Sequence, residues 1–71
     1  MSMNHLMYVK NLRESAEYFD PRIVTAVLAV KRNGMDHTAI HLAGGLVVLT
    51  KDDPAEIHSR IQAILTAMDT P

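Results

Sequence analysis

Residues 38–50 read "TAIHLAGGLVVLT", two almost wholly apolar runs separated by the adjacent glycines Gly44 and Gly45. How this pair is read decides the fold. A phosphate-binding loop needs a glycine-rich turn that opens directly into a helix, whose first N–H groups then hold the anion. Here the glycines open into "LVVLT", which has the β-branched composition of a strand, and neither GxGxxG nor GK followed by Ser or Thr occurs. Two strands joined through about two residues that tolerate positive φ make a tight hairpin of the primed type. We therefore read a β-hairpin, with Thr38, Ile40 and Leu42 on one face of its first strand and His37, Ala39 and His41 on the other.

Outward from this hairpin, "RIVTAVLAVKRNG" (22–34) is a second strand ending in Asn33-Gly34, a strong hairpin signal, and starting after Pro21. Strict alternation would put Ile23, Thr25, Val27 and Ala29 on one face and Val24, Ala26, Leu28 and Val30 on the other. Both faces are largely apolar, and one helix cannot cover both. Further upstream, "LMYV" (6–9) and "AEYF" (16–19) suit a pair of short strands around a turn in "KNLRES", with a short helix over 13–18 as the competing reading. Asp20-Pro21 ends that segment, because proline fixes its own φ and pushes the preceding residue out of the helical region.

Downstream, Asp53 is a fitting N-cap, Pro54 a first helical residue, and Glu56 stands where a capping-box carboxylate returns to the cap N–H. Ile57, Ile61, Ile64, Leu65 and Met68 recur at helical spacing, while His58, Arg60, Gln62 and Thr66 fall outside the stripe. The expected fold is α+β: a small, mainly antiparallel sheet of three to five strands with one C-terminal helix packed across it. All 71 residues belong to one small domain, with frayed ends over 1–4 and 69–71.

Composition narrows function. So short a chain gains only a few kcal/mol from one core and usually adds disulfides, a metal or a partner. There is no cysteine, which removes disulfides and thiolate zinc sites and leaves partner subunits as the route to further burial. No apolar run approaches the about 18 residues of a membrane helix, and the first ten residues lack a signal-peptide pattern. The chain thus reads as cytoplasmic, with no membrane insertion. The net charge is −1, with Lys10, Arg13, Arg22, Lys31 and Arg32 making the first half mildly basic and Asp36, Asp52, Asp53, Glu56 and Asp69 the second mildly acidic.

Candidate chemistry is sparse. Four histidines suggest a metal, but His37 and His41 on one strand stand about 13 Å apart at roughly 3.3 Å per residue and cannot share an ion within one chain. His58 on the outer helix face and His5 in the N-terminal end read as solvated. Asp52 and Asp53 are accounted for by capping and the helix dipole. Ser15 and Ser59 lack any nucleophile signature. Two tyrosines and one phenylalanine offer little surface for stacking bases. We expect no catalytic residue, no cofactor and no metal.

From Asp20 onward, Asp20-Pro21 with Ile23 and Val27, then Thr38, Ile40, Leu42 and Gly45, then "KDDPAEI", resemble small flagellar proteins of the FlbD or SwrD type. That resemblance implies a bacterial accessory protein acting through contacts. "VTAVLAVK" (24–31) and "EIHSRIQA" (56–63) also resemble the CsrA carbon-storage regulators, which implies RNA contact by a dimer. The first expectation is a non-catalytic bacterial protein-interaction or assembly module, acting as a homo-oligomer, most simply a dimer, with a further protein partner. Its interface residues would be Ile23, Val24, Thr25, Val27, Leu28, Val30, His41 and Val47. The alternative is a small RNA-binding post-transcriptional regulator using Lys10, Arg13, Lys31 and Arg32.

Overall fold

A computed structural model describes residues 6–69, so the expectations for residues 1–4, His5, Thr70 and Pro71 lie outside the described residues. Five strands and one helix follow in order: β1 (Met7–Lys10), β2 (Ala16–Phe19), a 3-10 turn (Pro21–Ile23), β3 (Val24–Arg32), β4 (Met35–Leu42), β5 (Leu46–Thr50) and α1 (Pro54–Met68). The fold is α+β, with all strand pairs antiparallel. The strands divide into a β1–β2 hairpin and a β3–β4–β5 meander, linked by a single bridge between Asn11 and Thr50.

The turns form where the sequence places residues that accept positive φ. Asn33 (φ 53) and Gly34 (φ 78) make the two-residue β3–β4 turn. The β4–β5 loop has three residues, not two: Ala43 joins Gly44 (φ 92) and Gly45 (φ 86), and Gly45 N–H donates to Leu42 C=O at 3.2 Å. Ala43 is included because its N–H is drawn to Ile23 C=O at 2.8 Å, which anchors the loop to the start of β3. In the β1–β2 turn, Asn11 Oδ1 accepts from the N–H groups of Arg13 (2.8 Å) and Ser15 (3.1 Å), and this favours the strand reading of residues 16–19 over the helical one.

Two features of β3 depart from the expected strand. Ile23 lies outside it, because Asp20 caps a 3-10 turn by accepting from Arg22 N–H at 2.9 Å with Pro21 as the first residue. The strict alternation also fails. The register shifts between Val24 and Ala26, so Val24 opposite Leu42 and Val27 opposite Ile40 share the core side, while Ala26, Leu28 and Val30 point away from it.

The core joins all layers: Met7, Val9 and Phe19 from the first hairpin, Ile40, Leu42 and Val48 from the meander, and Ile57 and Ile61 from α1. Val24, Val27, Ile64 and Leu65 pack on its margin. Buried Thr38 and Thr50 lie opposite each other, and both hold the connector to the helix. Thr38 Oγ1 donates to Asp52 C=O (2.5 Å), and Thr50 Oγ1 accepts from Asp52 N–H (3.3 Å). Asp53 then caps α1 by accepting from Ala55 N–H at 2.9 Å. Arg60, outside the apolar stripe, ties α1 to the first hairpin: it donates to Tyr8 C=O at 2.6 Å and pairs with Asp52 at 3.6 Å.

Candidate interaction surfaces

The face of the meander turned away from α1 follows from the register. Ala26, Leu28 and Val30 of β3 stand beside His41, Ala39 and His37 of β4, and Ala39 and His41 beside Leu49 and Val47 of β5. This face is apolar across all three strands apart from the two histidines. Leu28 and Val47 are 47% and 48% exposed, while the small Ala39 between its neighbours is only 3% exposed. The face ends at β3, the outermost strand of the meander, whose far edge pairs with no strand among the described residues.

The residues expected at an interface are distributed unevenly on this surface. Leu28, Val30, His41 and Val47 share the outward face. Val24 and Val27 are turned to the core side, where they border a groove of about 470 Å³ between β3 and α1 that Ile61 and Leu65 also line. Thr25 sits at the register shift and donates to His41 C=O at 3.2 Å, and exposed Ile23 lies in the 3-10 turn. The strand thus uses both its sides, one for the core and one for the surface.

A second surface lies on the first hairpin. Tyr8 and Tyr18 are direct cross-strand partners, and their rings stack with centroids 5.6 Å apart and planes 26° apart. Both are exposed, Tyr18 to 68%. Sequence reading counted few aromatics and missed this pairing, although the signal was present: with the hairpin turn centred at Arg13, Tyr8 and Tyr18 are equidistant from it. Lys10 follows Tyr8 by two residues on the same exposed side. Beyond the turn, Arg13 and Arg32, from separate hairpins, line one open cavity of about 330 Å³ with Glu17, Val47 and Leu49.

The charged groups separate into paired and unpaired sets. Arg22 forms a close pair with Asp20 (2.6 Å), whose hydrogen bond and charge raise the guanidinium pKa further. Lys31 pairs with Asp36 at 3.7 Å and Lys51 with Glu14 at 3.4 Å, while Glu17 accepts from Asn11 Nδ2 at 2.7 Å. Of the four cations expected at a nucleic-acid contact, Lys10, Arg13 and Arg32 make no ion pair among the described residues, and Lys31 makes one. Arg13 and Arg32 come together, and Lys10 stands on the same hairpin as Arg13.

Among the described residues, no three His, Cys, Asp or Glu side chains gather in a way that would hold a metal ion. His37 and His41 face outward at separate register positions, and His37 Nδ1 is buried without a hydrogen-bond partner among the described residues. Asp52 and Asp53 are engaged in the helix connector, and Ser15 and Ser59 are exposed on separate elements. Among the described residues, no helix is long and apolar enough to cross a membrane. No family model, curated protein or solved structure matches the chain.

Proposed function

We propose that this protein is a non-catalytic assembly module that works as a homodimer, two copies pairing antiparallel along the free edges of their β3 strands. The observation that carries this reading is the edge itself. An unpaired strand edge presents a row of N–H and C=O groups that template another strand, and natural proteins blunt such edges with proline, inward charges or short length. β3 is nine residues long, and residues 26–30, Ala-Val-Leu-Ala-Val, contain neither proline nor charge.

The edge is also self-complementary. A two-fold axis at Leu28 sets the two Leu28 side chains side by side, brings each Ala26 opposite the other copy's Val30, and leaves Arg32 opposite Val24. No like charges meet across such a pair, and Leu28, the large apolar side chain that β3 leaves exposed, is covered. A chain without cysteine, whose described residues form one helix, gains from this pairing the burial that its own core lacks.

Light scattering at micromolar concentration tests the reading. A mass near twice 7.9 kDa supports it, and a mass near 7.9 kDa throughout the range overturns it. Leu28→Asp should give a folded monomer. Val27→Asp is the poorer probe, because Val27 packs against the core and its loss would unfold the chain.

A further inference from the structure

We propose that the cleft between the turn of the first hairpin and the meander binds a free α-amino acid with an aliphatic side chain. Arg13 and Arg32 hold its carboxylate, Glu17 holds its ammonium group, and Leu12, Val47 and Leu49 receive its side chain. The site lies within one chain and does not depend on the dimer. Arg32 follows Leu28 and Val30 on the outward side of β3, so edge pairing engages its backbone and leaves its guanidinium to the cleft.

Three observations meet in this one cavity. First, Arg13 from the β1–β2 turn and Arg32 from the end of β3 both line it, and neither guanidinium pairs with an acid among the described residues. Guanidinium groups offer forked donors that match a carboxylate, and two of them from separate elements can grip one carboxylate from both sides.

Second, the same cavity holds an acid. Glu17 is half-buried there, and its Oε2 accepts from Asn11 Nδ2 at 2.7 Å, which fixes the carboxylate in place. Its other oxygen makes no hydrogen bond among the described residues and is open to a donor. A bare carboxylate or a phosphate drawn to the arginines would meet this negative charge unopposed, whereas an ammonium group beside the ligand's carboxylate offsets it. Third, the wall between the charges is apolar: Leu12 and Leu49 are half-buried and Val47 is exposed. A cavity of about 330 Å³ with apolar walls and a few converging polar groups has the build of a small-molecule site and the room for one amino acid.

The test is a titration of nitrogen-labelled protein with L-leucine at constant salt, followed by amide NMR. The signals of Arg13, Glu17, Val47 and Leu49 should shift together and saturate, while those of Gln62 and Ile64 on α1 stay in place. N-acetyl-leucine lacks the ammonium charge, leucinamide the carboxylate and glycine the side chain, and each should bind at least about tenfold more weakly than leucine. Glu17→Gln keeps an oxygen for Asn11 and should bring leucine and N-acetyl-leucine to equal affinity. Arg13→Met with Arg32→Met should do the same for leucine and leucinamide. Both are ratios between ligands on one folded variant, so a general loss of stability does not produce them. No saturable shift at the four amides, or N-acetyl-leucine bound as tightly as leucine by the unaltered protein, would overturn the proposal. Leucine binding that persists in Leu28→Asp separates this site from the dimer edge.

Discussion

Truncating Leu28 to alanine gives a measurable consequence of dimer formation. Leu28 is 47% exposed in the single chain, so about half of the roughly 1.5–3 kcal/mol gained by burying a leucine side chain is left for a partner to supply. A two-fold axis counts each substitution twice, so Leu28→Ala should cost the dimer about 1.5–3 kcal/mol. At about 1.4 kcal/mol per decade this is a rise in Kd of roughly 10- to 150-fold. Sedimentation equilibrium over a dilution series reads that shift. Thermal melts at two concentrations provide a second readout, because a linked dimer has a concentration-dependent midpoint. The control is Met35→Ala: Met35 is more exposed, at 60%, but it stands on β4 at the tip of the hairpin, away from residues 26–30. If Leu28→Ala moves Kd no more than Met35→Ala does, Leu28 is not at the centre of the contact, and the pairing along β3 is refuted.

Two further expectations concern the fold that carries these surfaces. Ile57 is fully buried where α1 meets both sheets, so Ile57→Ala should lose about 2–5 kcal/mol, a large share of the roughly 4–10 kcal/mol expected for a 71-residue domain. A urea titration followed at 222 nm measures it, and a loss no greater than that of the half-buried Ile64→Ala would show that the helix does not pack as described. At Gly45 (φ 86) no atom would touch an added Cβ, so the cost of Gly45→Ala is conformational alone, about 1–2 kcal/mol. D-alanine at the same position, introduced by chemical synthesis, should be neutral or stabilising in the same titration, and an equal loss for both enantiomers would mean that space and not φ governs the site.

Much of this architecture was legible in the sequence because local chemistry specified it. Asn33-Gly34 and Gly44-Gly45 accept the positive φ that their turns need, and Asp53-Pro54 starts α1 where a cap and an N1 proline belong together. What was not legible depended on contacts between distant residues. Ala43 enters the β4–β5 loop because of a hydrogen bond to Ile23, twenty positions earlier. Arg60 falls outside the apolar stripe, which gives it no packing partner in the sequence, yet it donates to the carbonyl of Tyr8. Arg13 and Arg32 meet only because the turn of the first hairpin comes up against the meander. The tyrosine pair is different: it went unread, although hairpin register alone fixes it once the turn is centred at Arg13.

The register shift in β3 explains how one strand with two apolar sides can both build a core and leave a surface. Under strict alternation Val24 would join Ala26, Leu28 and Val30 on the outward face, and Thr25 would point at α1. Inserting Thr25 as the extra residue turns Val24 inward to pair with Leu42, beside Val27, and gives the core side two β-branched residues at the groove facing Ile61 and Leu65. The threonine suits this position because its hydroxyl takes a backbone partner, His41 C=O, at the irregular step. From Ala26 onward the alternation is regular again, so Leu28 and Val30 are held outward by the same ladder that keeps Val27 inward. No rotation of the strand can hide Leu28 without exposing Val27, so Leu28 can be covered only by something outside the chain's own core.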